Sequence, residues 1–137
     1  MAGYSGTPLW KKLGLKPQFQ VALINGPRDY ERLLEPIPDG IKIGSRVTSK
    51  TDIIHVFSTE KLHLKRSLIS CLKSMKSSAV IWASWPKRSS GLTSEITEDT
   101  VRAVALPLGL VDVKVCAIDE TWSGLKLVVR RENREAG

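Results

Sequence analysis

The residue pattern predicts an α/β domain in three layers, a mostly parallel sheet with helices on both faces, closed at one edge by an antiparallel hairpin. Three observations carry that prediction. Strand-length apolar runs alternate with helical repeats along most of the chain, among them QVALIN (20–25), DIIHVF (52–57) and AVIWAS (79–84). Those runs are apolar at successive positions, as strands covered on both faces are. The last two strand-like runs, Val111–Ile118 and Leu125–Arg131, are separated only by the loop DETWSG, which makes them a hairpin.

Each element has a local justification. Thr7 and Pro8 suit the start of a short helix, LWKKL, with the threonine as N-cap and the proline at the first helical position. Gly14 suits its C′ position, and Pro17 prevents continuation. The strand Gln20–Asn25 runs into Gly26-Pro27, a helix start, and Tyr30, Leu33, Leu34 and Ile37 then recur at helical spacing over Arg28–Ile37. Ile41–Val47 opens as a strand, but Gly44 and the polar run after it argue for a stop near Ile43 and an extended return rather than a hairpin. Asp52–Phe57 is the next buried strand. A long helix over about Thr59–Lys76 puts Leu64, Leu68, Leu72 and Met75 inside and Lys61, Lys65, Arg66, Lys73 and Lys76 mostly outside. After the strand Ala79–Ser84, Thr97 caps a third helix whose core stripe is Val101, Val104, Ala105 and Leu108. Glu98 and Asp99 suit the positive end of its dipole. Residues 132–137 are polar and read as a frayed tail.

The 137 residues fit one domain, 1–137, in which 1–17 form an N-terminal arm and short helix, and a 42% hydrophobic content suffices for a core without staples. No apolar run approaches the roughly 18 residues of a membrane-crossing helix, and no basic-then-apolar leader opens the chain. A soluble, cytoplasmic protein with no membrane partner is the expectation. Cys71 and Cys116 have no metal-like spacing and read as two reduced core thiols. A formal charge of +7 favours acidic partners, nucleic acid included, but no zinc, RNP or helix-turn-helix signature accompanies it.

The stretch LGLKPQFQVALINGP (13–27) resembles the opening of class I methyltransferases, in which a helix, a Lys-Pro turn and a first strand lead into a glycine-rich loop. TDIIHVF and SSAVIWASWP stand where the fourth and fifth strands of those enzymes do, and the closing hairpin matches as well. The resemblance implies a Rossmann-like, methyltransferase-like architecture over most of the chain. At closer range, MAGYSGTPLWKKLGLKP, WPKRSSG and ALPLGLVDVKVCAIDETWSGLKLVVRRENR resemble a family of small bacterial proteins known as domain of unknown function 3052, which implies no activity. The departures from the methyltransferase pattern matter more. That family places an acid in the first strand and a G-x-G loop after it, whereas this chain has Leu23 and then Asn25, Gly26 and Pro27. The second strand there ends in an acid, and IKIGSRV has none. Loss of both grips argues against adenosylmethionine, and no cofactor is expected.

Ligands of such sheets sit outside the carboxyl ends of the parallel strands, where the strand order reverses. The turns expected there carry Asn25, Arg28, Ser58, Trp85, Lys87, Arg88, Asp119, Glu120, Trp122 and Ser123, the candidate ligand-binding residues. Lys87 and Arg88 suit a phosphate or carboxylate near helix N-termini. The plainer outcome is that they pair with Asp119 and Glu120 and fasten the hairpin. Trp85 and Trp122 suit a sandwich around a flat ligand or, more commonly, cover the end of a core. His55 reads as a satisfied core histidine and His63 as a solvated one. No catalytic residue or metal site is assigned, because P-loop, H-E-x-x-H, C-x-x-C, EF-hand and G-x-S-x-G patterns are all missing.

Three functions follow for testing. The first is a non-enzymatic domain whose sheet edge binds a partner, such as an acidic protein, or a small anionic ligand. The second is an adenosylmethionine-dependent methyltransferase with an atypical cofactor site that uses Asn25 and Asp119. The third is a nucleic-acid-binding protein that uses the basic helix 59–76.

Overall fold

In the computed structural model, which describes residues 6–134, six strands form one sheet. They are β1 (Gln20–Ile24), β2 (Lys42–Gly44), β3 (Ile53–Phe57), β4 (Val80–Pro86), β5 (Leu110–Ala117) and β6 (Trp122–Val129), in the order β2-β1-β3-β4-β6-β5. Neighbours from β2 through β4 are parallel, while β6 runs antiparallel to both β4 and β5. The mixed sheet and its closing hairpin agree with the sequence. The first five residues of the expected arm and the last three of the expected frayed tail lie outside the described residues.

All five residues of β3 are buried, and the two-residue period of a strand sends them alternately to opposite faces. Ile54 and Val56 enter the face covered by α3 (Lys61–Ser74) and α4 (Glu98–Ala105). There Leu64, Leu68, Cys71, Val101, Val104 and Ala105 meet Ile81, Ala83, Leu125 and Leu127 in one apolar core. Ile53, His55 and Phe57 enter the other face, under α1 (Leu9–Leu13) and α2 (Tyr30–Leu33), where Leu9, Leu13, Leu15, Tyr30, Leu34 and Trp82 share a second core. Long helices therefore form one outer layer, and two short ones with their flanking segments form the other.

Several boundaries differ from expectation for identifiable reasons. Pro8, with an extended ψ of 151°, caps the first helix, so Thr7 is not the N-cap. Gly14 takes the left-handed C′ position at φ 87°, as its lack of a Cβ permits. The stripe Tyr30, Leu33, Leu34 and Ile37 is buried or half-buried on one core, yet only Tyr30–Leu33 is helical. Pro36 explains the stop, since it offers no N–H and disfavours helical geometry in the residue before it. The strand β2 ends at Gly44 and the chain returns without a hairpin to β3, on the far side of β1. The hairpin turn is tighter than the sequence suggests: Asp119 Oδ1 accepts from the amides of Thr121 (2.8 Å) and Trp122 (2.7 Å), so β6 begins at Trp122.

Candidate functional site

The order of strands reverses between β1 and β3, because β1 continues to β2 on one side and β3 continues to β4 on the other. Asn25 stands at this point with a left-handed φ of 58°, which asparagine tolerates better than most residues. Its Nδ2 donates to the Phe57 carbonyl at 3.0 Å and so bridges the carboxyl ends of the two strands. Gly26 follows with the Leu23 side chain folded closely beneath it: a Cβ there would stand 2.4 Å from that side chain, so any larger residue requires Leu23 to move. Beside it lies a cavity of about 540 Å³ whose lining includes Leu23, Pro27, Arg28, Tyr30, Arg32 and Ile43.

The remaining candidates come to the same edge but not to one another. Ser58 is fully buried: its amide donates to the Ser84 carbonyl (3.0 Å), and its hydroxyl donates to the Glu60 carbonyl (3.0 Å). Trp85 lies in the core beneath α3 and α4, whereas Trp122 lies on the opposite face, edge-on to Phe57 with ring centres 5.0 Å apart. The two rings cannot sandwich a ligand. Strand register explains why, since Trp85 pairs with Ser123 and Trp122 with Pro86, one position apart and hence on opposite faces. Ser123 thus belongs to a strand, and Asp119 is consumed by its own turn. Glu120 and Arg88 are exposed, Lys87 is half-buried, and the Lys87 amide is tied to the Thr121 carbonyl at 2.8 Å. Among the described residues, Arg28, Lys87 and Arg88 make no ion pair, so the expected fastening to Asp119 and Glu120 does not form.

Helix N-termini near this edge do not offer free donors in the way expected. The helix α2 is a single turn, and the first amide of α3, on Lys61, already donates to the Glu95 carboxylate at 2.9 Å. Of the basic side chains expected on the long helix, Lys61, Lys65, Arg66 and Lys73 are exposed, while Lys76 lies beyond its end and is paired with Asp52 at 2.7 Å.

Two histidines hold the polar groups behind the edge. His55 is buried between Tyr30 Oη (2.8 Å at Nδ1) and Ser84 Oγ (2.7 Å at Nε2), and stacks on Phe57. Burial pushes its pKa down to about 3, so the ring is neutral and needs one donor and one acceptor, which two hydroxyls supply. This is the satisfied core histidine the sequence suggests. His63 departs from expectation: it is half-buried, with Nδ1 2.7 Å from Ser58 Oγ. The single Ser58 proton goes to the Glu60 carbonyl, so His63 Nδ1–H is the donor to Ser58 Oγ. Nothing in the sequence spacing signals that contact. Both cysteines are free, and burial raises the Cys71 thiol to about 11. Among the described residues no three His, Cys, Asp or Glu side chains are placed to share a metal ion, and no helix is long and apolar enough to cross a membrane.

No family model and no curated protein matches the chain, so the likeness to domain of unknown function 3052 rests on the quoted residues alone. The fold does have a solved counterpart. A crystal structure of a Sulfolobus solfataricus protein, provisionally described as a type 11 methyltransferase, superposes with a TM-score of 0.65 over 93% of each chain at 14% identity. The architecture is therefore methyltransferase-like. At that identity the likeness speaks for the fold and not for the chemistry.

Proposed function

We propose that this chain is a methyltransferase-fold domain that does not use adenosylmethionine and instead binds a small anionic ligand, or an acidic partner, at the carboxyl edge of its sheet. The observation that carries the reading is the condition of the edge cations. Arg28, Lys87 and Arg88 have no acidic partner among the described residues, and the acid nearest in expectation, Asp119, is turned into the hairpin. Guanidinium and ammonium groups left open in this way suit a carboxylate or phosphate. The negative half of the proposal draws on Leu23, whose hydrocarbon lies under Gly26 where the methyltransferase pattern has a carboxylate, and on Pro27, which has no amide to offer. Asn25, the alternative grip, is already engaged with Phe57.

Calorimetry and amide chemical shifts test both halves. Adenosylmethionine and adenosylhomocysteine should give no heat, and inorganic phosphate should shift the amides around Arg28 and Lys87–Ser90 in the parent but not in an Arg28→Ala, Lys87→Ala, Arg88→Ala triple variant. Micromolar binding of either nucleoside overturns the proposal. A transferase reading is favoured by one feature, the cavity of about 540 Å³ beside Pro27 and Ile43, which is large enough for a small ligand. The same titration decides it, because occupancy there by adenosylhomocysteine would shift Leu23, Tyr30 and Ile43.

A further inference from the structure

At the opposite end of the sheet, where the parallel strands begin, lies a second cavity of about 410 Å³. Its wall includes Lys16 and Phe19 from the segment after α1, Asp52 at the start of β3, Lys76 and Ser78 from the link between α3 and β4, and Lys126 from β6. Strand register places these charges. On the face beneath α1, His55 of β3 pairs with Trp82 of β4, Trp82 with Lys126 of β6, and Lys126 with Lys114 of β5. The helix α1 is tied over this row by the Trp82 Nε1–H, which donates to the Leu13 carbonyl at 3.1 Å. Lys126 is thus half-buried directly opposite another lysine, an arrangement that repels unless an anion lies between or beside the two. Burial and then the charge of Lys114 lower the pKa of Lys126, which expresses the same repulsion.

The one acid lining the cavity among the described residues does not relieve it. Asp52 Oδ1 accepts from Lys76 Nζ at 2.7 Å and Oδ2 from the Gln20 amide at 2.8 Å, so its charge is committed to the floor of the site. Among the described residues, Lys16, Lys114 and Lys126 have no ion pair. We infer that this cavity binds a small polyanion through a di- or triphosphate group, with Lys16 and Lys126 as direct ligands and Lys114 as a flanking charge. Lysines drawn from separate elements to one cavity, with a third beside them, suit linked phosphates, which carry more negative charge than a single phosphate. Lysines act as point charges and impose no bidentate geometry. Phe19 adds an apolar wall on which a nucleoside base can stack, so the diphosphate has two sources, free or nucleotide-borne.

Titration of the intact chain with inorganic pyrophosphate and, separately, adenosine diphosphate tests the inference. Lys126→Met keeps the stem's packing and removes the charge, and Lys16→Ala changes an exposed residue. Each should weaken pyrophosphate binding about tenfold, with affinity falling as salt is raised. Tighter binding of adenosine diphosphate than of pyrophosphate, lost in Phe19→Ala, identifies the nucleotide as the source; equal or weaker binding identifies the bare diphosphate. No binding of either probe overturns the inference. So does binding that survives both lysine changes, or that falls instead with Arg28→Ala and Arg88→Ala, which would place the anion at the other edge. Circular dichroism checks folding, and if Lys126→Met unfolds, Lys16→Ala and Lys114→Ala carry the test with the same outcomes.

Discussion

The two faces of strand β3 are built on different rules. Ile54 and Val56 enter hydrocarbon alone, where helices α3 and α4 meet the sheet. Ile53, His55 and Phe57 enter a face where a neutral imidazole links Tyr30 to Ser84 inside a cluster of rings, under two short helices. The first face is stabilised by area and volume, so each lost methyl has a proportionate cost. The second depends on a hydrogen-bonded chain, in which a missing member leaves its neighbours unpaired in a medium of low dielectric. The same face reaches both candidate sites: Phe57 and Trp122 support the carboxyl edge, and Trp82 and Lys126 lead to the amino edge. Placement of the two proposed sites therefore rests on the polar face.

A pair of adjacent substitutions would break this contrast most directly. His55→Ala removes a ring and strands two buried hydroxyls, and should cost about 4 kcal/mol in urea unfolding. Val56→Ala, one residue on and facing the other way, should cost about 2 kcal/mol, the value for two methyl groups. Equal losses would mean that the polar chain contributes nothing beyond its volume.

The next largest effect is one of pH. The His55 pKa is about 3 in the folded chain, against about 6.5 for an unperturbed histidine. Between those values the unfolded chain binds a proton that the folded chain does not. Stability from this source is complete above about pH 6.5 and falls as pH drops towards 3, by about 1.4 kcal/mol per unit. Urea midpoints at pH 7 and pH 5 should thus differ more in the parent than in His55→Gln, and the same difference in both would remove His55 as the cause.

How far the sequence could be read divides along the same line. On the apolar face the helical repeat names Leu64, Leu68, Val101, Val104 and Ala105, which are buried, and Leu72, Met75 and Leu108, which are half-buried against the same core. On the polar face the repeat over Arg28–Ile37 identifies what is buried but not how, because Pro36 ends the helix after one turn. The edge residues are legible as a group and not as contacts. Misjudging the start of β6 hides the strand parity that separates Trp85 from Trp122, and turn geometry, not charge, decides where Asp119 points. The contact of His63 with Ser58 and the capping of α3 by Glu95 both join a helix start to a distant or bent segment, for which no local period exists.

Tyr30→Phe sharpens the contrast at smaller scale. It removes one hydroxyl and leaves His55 Nδ1 without its partner at 2.8 Å, with no change in ring packing. A loss of about 1–2 kcal/mol is expected, since the cost is that of one unsatisfied buried group. The comparison variant is Ile54→Val on the opposite face, where about 1 kcal/mol is expected from a single methylene. A negligible effect of Tyr30→Phe would show that His55 is satisfied by Ser84 alone.

The smallest effect belongs to the apolar side, at a cap that the sequence does reveal. Thr97 Oγ1 accepts from the Thr100 amide at 3.3 Å, and Thr100 Oγ1 accepts from the Thr97 amide at 3.1 Å, closing a reciprocal capping box at the start of α4. Both residues lie outside the apolar core, so Thr97→Ala should cost only about 1 kcal/mol. Because α4 packs against α3 and the far end of the sheet, the variant should leave the pH 5 to pH 7 difference of the parent unchanged. A variant that altered that difference would couple the two faces through the sheet, and the division between them would no longer hold.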